Sequence, residues 1–96
     1  MKKETIERLA IVNLDENSDV IEAVTALESG LYVRAIRIIK TDIIGQTTLK
    51  LSRNDSPVEH HVEFTDEYFI DCNTIRSAKV SAPVSCLIEY SGGITT

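Results

Sequence analysis

The chain has 96 residues, enough for one domain, and its 15 acidic against 10 basic residues give a formal net charge of −5. An acidic balance argues against nucleic-acid binding, because that affinity comes mainly from cationic side chains that displace counterions from phosphates. Hydrophobic residues make up 43% and charged residues 26% of the sequence, which is typical of a folded globular protein and excludes disorder.

The first segment, TIERLAIVNL, predicts a strand. Ile6, Ala10, Val12 and Leu14 share one side of a period-two pattern. We expect a loose N-terminal arm over about residues 1–4 before this strand and a turn at DENSD after it. Charged side chains also interrupt any signal-peptide core in this region, so we expect a protein made and kept in a cytoplasm.

Residues 19–29 fit two structures about equally well. Val20 and Val24 have helical spacing, and Asp19 with Glu22 could form a capping box. Against a helix, the segment is short and rich in β-branched residues, which favour strands. The residues alone leave this choice open.

The segment LYVRAIRIIK places cations inside an apolar run. A β-bulge at Ala35–Ile36 would restore a period-two pattern and make the segment one long strand. The inward side chains would then be Leu31, Val33, Ile36 and Ile38. The outward side chains would be Tyr32, Arg34 and Arg37.

The outward cations of this strand have two interpretations. They can be an ordinary solvated face. Together with Lys40 they can also form a patch that pairs with an acidic surface on a partner protein.

The rest of the chain predicts further short strands, at TTLKLS, VEHHVEF, YFID and VSCLIEY, separated by turns. Seven or eight strands at this spacing are typical of an all-β antiparallel sandwich, here jelly-roll-like. With aromatic residues at 5% and no Trp, its core must be mostly aliphatic. We expect a single domain over residues 1–96, with a flexible C-terminal end at about residues 91–96.

Candidate chemistry is sparse. His61 with Glu59 and Glu63 could share one strand face, but neighbouring His60 would point to the other, so we predict no metal site and a half-buried His60. No nucleophile elbow and no phosphate-binding glycine loop occurs, so we predict no cofactor and no enzymatic activity. Cys72 and Cys86, which lack C-x-x-C spacing, are expected to be buried free thiols.

Three stretches carry a resemblance to a known class of proteins: VIEAVTALESGLYVRAIRIIKTDIIGQTTLKLS, VEFTDEYFID and KVSAPVSCLIEYSGG, together spanning about residues 18–93. Their order of strands and turns resembles the small β jelly-roll virion proteins that decorate or cement the capsids of tailed bacteriophages. The resemblance implies that Val20–Thr25 is a strand.

The same resemblance implies a non-enzymatic structural role. The protein would dock as a homo-oligomer on the major capsid protein or other virion proteins, at the capsid surface, with no nucleic-acid or membrane partner. The residues we expect at the contact, chosen from the arm and the outward strand face, are Lys2, Lys3, Tyr32, Arg34 and Arg37. The alternative is a receptor- or carbohydrate-binding module of a tail or head fibre.

Overall fold

The computed structural model describes residues 3–41 and 45–95. Within these residues the chain forms seven strands and one short helix. In chain order they are β1 (Lys3–Leu14), α1 (Val20–Thr25), β2 (Leu31–Lys40), β3 (Thr47–Arg53), β4 (Glu59–Phe64), β5 (Glu67–Asp71), β6 (Ile75–Val80) and β7 (Val84–Thr95).

The strands form two antiparallel sheets. Sheet A has four strands in the order β1-β7-β2-β5, and sheet B has three in the order β4-β3-β6. Both sheets and α1 contribute to one aliphatic core, in which Ile36, Leu49 and Ile88 are fully buried. The predicted all-β antiparallel sandwich is confirmed.

The predicted bulge in β2 exists, one residue earlier than expected. Along β7, the register of β2 shifts between Val33 and Ala35, so Arg34 is the additional residue. The inward side chains are those predicted: Leu31, Ile36 and Ile38 are buried and Val33 is partly buried. Leu31 and Val33 alternate inward before the bulge, and Ile36 and Ile38 alternate inward after it. The additional residue at the bulge therefore keeps both pairs of apolar side chains on the core side of the sheet.

The strand implied at Val20–Thr25 is wrong, because these residues form α1. Asp19 is the N-cap, and its Oδ1 accepts hydrogen bonds from the backbone N–H of Ile21 (3.0 Å) and of Ala78 in β6 (3.1 Å). Val20 and Val24 are fully buried. Helical spacing of the two valines and the tie to β6 together outweigh the β-branched propensity of the segment.

Both chain ends differ from the sequence-based expectation. Lys3 and Glu4, expected in a loose arm, belong to β1, and Lys3 lies opposite Thr95. Residues 91–95, expected to be flexible, are the end of β7. Met1, Lys2 and Thr96 lie outside the described residues.

Gly92 explains why a glycine-rich end can be a strand. A Cβ at this position would overlap the backbone carbonyl oxygen of Tyr32 and lie 2.9 Å from its carbonyl carbon. Gly92 therefore allows the bulged part of β2 to approach β7 closely. The amino-acid composition of these residues, taken alone, predicts a flexible end instead of a strand.

Candidate docking surface

The solvent-facing side of sheet A, called here the outer face, consists of cross-strand rows. Side chains alternate along a strand, and the buried residues of β7 include Cys86, Ile88 and Tyr90, so Leu87 and Glu89 face outward. One row, from β1 to β5, is Ile11, Leu87, Ile39 and Glu67. The next row is Leu9, Glu89, Arg37 and Phe69.

Large apolar side chains are exposed at both edges of the outer face. Leu9 and Ile11 on β1 are 64% and 76% exposed, and Phe69 on β5 is 61% exposed. Tyr32, opposite Gly93 of β7, is 59% exposed. Scattered exposed apolar residues are normal, but several on one sheet face are typical of an interaction surface.

Charged side chains occupy the centre of the outer face. Arg37 Nη2 donates to Glu89 Oε2 at 2.8 Å, and Arg37 Nη1 lies 4.0 Å from Glu67 Oε1. The hydrogen bond to Glu89, followed by the charges of Glu89 and Glu67, raises the pKa of Arg37 above its usual range. The positive charge of the guanidinium is therefore balanced by carboxylates of the same chain.

A shallow depression of about 220 Å³ lies beside this ion cluster, and its lining includes Glu7, Arg37, Phe69, Glu89 and Ser91. Within the described residues the Nε–H of Arg37 is buried and has no protein acceptor. Buried donors are normally satisfied, so this N–H is an exception inside the ion cluster.

The predicted cationic patch does not exist as one surface. Arg34 and Arg37 lie outward as predicted, and the Arg34 guanidinium lies 5.9 Å from the ring centroid of exposed Tyr32. Lys40 lies opposite Cys86, on the core side of the sheet, with its Nζ 5.6 Å from the Phe64 ring centroid. The outer face therefore has a small acidic excess, from Glu7, Glu67 and Glu89 against Arg34 and Arg37.

Two of the predicted contact residues, Lys2 and Lys3, belong to the segment that we expected to be an N-terminal arm. Lys2 is outside the described residues. Lys3 is described as the first residue of β1. Among the predicted contact residues whose side chains the structure describes, Tyr32 and Arg34 lie close to each other, and Arg37 belongs to the separate ion cluster.

The histidine segment lies on sheet B, away from the outer face. His61 Nε2 lies 2.9 Å from Glu59 Oε1, and His60 is exposed rather than half-buried as predicted. The hydrogen bond from His61 lowers the pKa of Glu59. The part of the chain that the structure describes contains no group of three or more His, Cys, Asp or Glu side chains placed to hold a metal ion.

The two cysteines differ in their surroundings. Cys86 is buried, and its Sγ lies 3.6 Å from the Val12 carbonyl oxygen. Cys72 is a partly buried free thiol, and desolvation, with a smaller effect of Asp71 and Asp19, raises its pKa to about 11. A thiol with this pKa is a poor nucleophile at neutral pH.

Sequence reasoning missed the apolar members of the outer face. Leu9 and Ile11 stand on the opposite side of the TIERLAIVNL pattern from Ile6 and Val12, which makes β1 apolar on both sides. An apolar pattern on both sides of a strand indicates that its outward side is also apolar, and this could have identified Leu9 and Ile11 from the sequence. Phe69 has no comparable signal, because its exposure depends on β5 being the last strand of sheet A.

No protein-family model, curated protein or solved structure matches this chain. Among the described residues, no helix is long and apolar enough to cross a membrane.

Proposed function

We propose that this chain is a non-enzymatic virion protein that decorates a phage capsid, docking as an oligomer on the lattice of the major capsid protein. The resemblance of residues 18–93 to small virion proteins suggests the setting. The observation that carries the docking role is the outer face, where Phe69 is 61% and Tyr32 is 59% exposed. Such side chains lose their contact with water when a partner covers them.

The composition of the outer face defines the partner surface that would fit it. Three carboxylates, Glu7, Glu67 and Glu89, outnumber the two arginines of this face, and exposed apolar side chains flank them. A complementary surface carries apolar residues and an excess of Lys or Arg. The expected partner surface is therefore basic, the opposite of the acidic surface that a patch of Arg34, Arg37 and Lys40 would bind.

Many weak contacts suit a decoration protein. An exposed face of this kind gives a modest affinity for each copy, and an oligomer that binds several lattice positions at once multiplies it. One strong binding pocket is therefore not required for stable occupancy of a capsid.

The tyrosines favour capsid docking over the alternative of a carbohydrate-binding module. Sugar-binding sites use exposed aromatic rings as stacking surfaces. Tyr90 is buried and Tyr68 is partly buried beside Phe64, at a centroid distance of 5.9 Å. Tyr32 is the one exposed tyrosine among the described residues.

The test uses particles that lack this protein, mixed with purified wild type or variants and separated by sedimentation. We expect Tyr32→Asp/Phe69→Asp to bind the particles about tenfold more weakly, equivalent to ~1.4 kcal/mol. The matched control is Val58→Asp, an exposed apolar residue (54%) before β4 on the other sheet, which should bind like wild type. Equal binding by all three proteins would exclude the outer face, and no binding by wild type would exclude the decoration role.

A further inference from the structure

The four end strands of the two sheets differ greatly in length. β1 has 12 residues, whereas β5 has five and β4 and β6 have six each. The backbone N–H and C=O groups along the open side of an end strand are a template for another strand, and natural proteins usually keep such strands short, charged or covered.

The three short end strands are protected in these ways. The chain before α1 covers β6: Asn17 N–H donates to the Val80 carbonyl (2.8 Å), and Val80 N–H donates to the Ser18 carbonyl (3.1 Å). β4 carries two glutamates and two histidines in six residues. β5 begins with Glu67 and ends with Asp71.

The second half of β1 lacks these protections. The sequence of residues 3–8 has four charged residues, but residues 9–14 contain no charged side chain and no proline. In the described part of the chain, no backbone–backbone hydrogen bond outside the sheet A ladder involves β1. Leu9 and Ile11, outward side chains in this half of β1, are also among the most exposed apolar residues that the structure describes.

We propose that β1 pairs antiparallel with β1 of a second copy of this chain, joining two four-stranded sheets into one continuous eight-stranded sheet. The occupant is inferred from the sequence of β1 itself. A two-fold axis perpendicular to the sheet at Ala10 places residue 10 opposite itself and keeps both outer faces on the same side.

In this register the two copies of β1 are self-complementary. On the outer side Leu9 lies opposite Ile11 of the second copy, so four aliphatic side chains form one cluster. Glu7 lies opposite Asn13, and Arg8 lies opposite Val12, so no like charges face each other. Moving the axis to Leu9 would place Glu7 opposite Ile11, and moving it to Ile11 would place Leu9 opposite Asn13, each separating the aliphatic pairs.

The first experiment is analytical ultracentrifugation of the purified chain across a wide concentration range. We expect wild type to form dimers, and Leu9→Lys/Ile11→Lys to raise the dissociation constant by at least about tenfold with an unchanged circular dichroism spectrum. The matched control is Phe69→Lys at the opposite edge of the outer face, which should dimerise like wild type. A monomeric wild type, or equal dimerisation by the Leu9/Ile11 variant, would overturn the proposal.

The second experiment tests the register. Residues directly opposite in an antiparallel pair have Cα atoms about 4.5–5.5 Å apart, which suits a disulfide. A mixture of Glu7→Cys and Asn13→Cys proteins should therefore cross-link under mild oxidation. Each variant alone should not, because its two new thiols would lie about 20 Å apart along the strands. Cross-linking in the single-variant samples, or none in the mixture, would exclude this register.

These measurements use purified protein without particles. A monomeric protein in ultracentrifugation would therefore exclude the β1 dimer but would not decide capsid docking through Tyr32 and Phe69, which the particle assay tests. Likewise, absence of binding to particles would not exclude the dimer.

Discussion

Arg37 shows how one residue can be partly exposed, charged and still not be a free cation. Its guanidinium is paired with Glu89 and Glu67, whereas Arg34 on the same strand stacks on Tyr32 and forms no ion pair among the described residues. Charge reversal should therefore have different effects at the two positions. At Arg34 it removes an exposed contact with the Tyr32 ring and no ion pair, whereas at Arg37 it removes the pairing with both glutamates.

We expect Arg34→Glu to leave the unfolding midpoint in urea unchanged. Arg37→Glu should lower that midpoint, because a third carboxylate would then face Glu89 and Glu67. Arg37→Gln is the intermediate variant, since it removes the pairing without adding repulsion. Equal midpoints for Arg37→Glu and Arg34→Glu would mean that the ion cluster does not stabilise the fold.

Gly92 gives a second prediction at the scale of one residue. Gly92→Ala should destabilise the protein by about 1–3 kcal/mol, because the new methyl group overlaps the Tyr32 carbonyl and one of the two central strands must move. Ser91→Ala, at the neighbouring position of β7, should change stability little. Thermal unfolding followed by circular dichroism measures both, and wild-type stability of Gly92→Ala would show that β2 and β7 approach less closely than the structure indicates.

At the scale of elements, α1 is short and depends on its cap. Six residues are too few for a stable isolated helix, so packing and capping must hold it. Asp19→Ala removes the acceptor of two backbone N–H groups, one in α1 and one in β6, and should lower the free energy of unfolding by about 0.5–2 kcal/mol. Asp19→Asn keeps an acceptor oxygen and should therefore retain most of the free energy of unfolding that Asp19→Ala loses.

Urea denaturation of the two Asp19 variants provides the measurement. Identical curves for Asp19→Ala and Asp19→Asn would argue against the side-chain oxygen as the tie between α1 and β6.

Most of the elements could be predicted from the sequence because their signal is local. The inward residues of β2 follow from alternation once a bulge is allowed, and the strand at residues 5–14 follows from its aliphatic side. The state of Val20–Thr25 could not be decided locally, because the second hydrogen bond of Asp19 is made to Ala78, 59 residues away. The strand at residues 91–95 depends on a close approach to Tyr32 that composition does not encode.

At the scale of the molecule, the candidate surface was less predictable than the fold. Tyr32, Arg34 and Arg37 were correctly placed outward, but their partners come from other strands: Glu89 lies 52 residues from Arg37. Which exposed side chains share a face depends on strand order, and strand order is set by long-range pairing. A single sequence therefore predicted which residues are exposed better than it predicted the net charge of the surface.

The whole molecule should also lose stability in alkaline solution. Burial raises the pKa of the Cys72 thiol from an ordinary 9.0 to about 11, and burial followed by the hydrogen bond to Glu28 raises the pKa of Tyr90. Below pH 9 the thiol is protonated in both folded and unfolded chains, so its contribution is complete. Above pH 9 the unfolded chain ionises first, and the free energy of unfolding should fall as pH rises toward 11.

The contribution of each group is measured by comparing variants. Cys72→Ala and Tyr90→Phe should each flatten the decline in the free energy of unfolding between pH 9 and pH 11 relative to wild type. A decline of the same slope in both variants would assign the alkaline loss to other groups.

The position of β7 has a consequence for synthesis. It lies between β1 and β2 in sheet A, although it follows every other strand in the chain. A nascent chain on the ribosome therefore has no middle strand for its larger sheet until residues 84–95 have emerged from the exit tunnel. Until then β1 has no paired strand on either side, so the nascent chain should stay sensitive to protease and available to chaperones until β7 can pair with it.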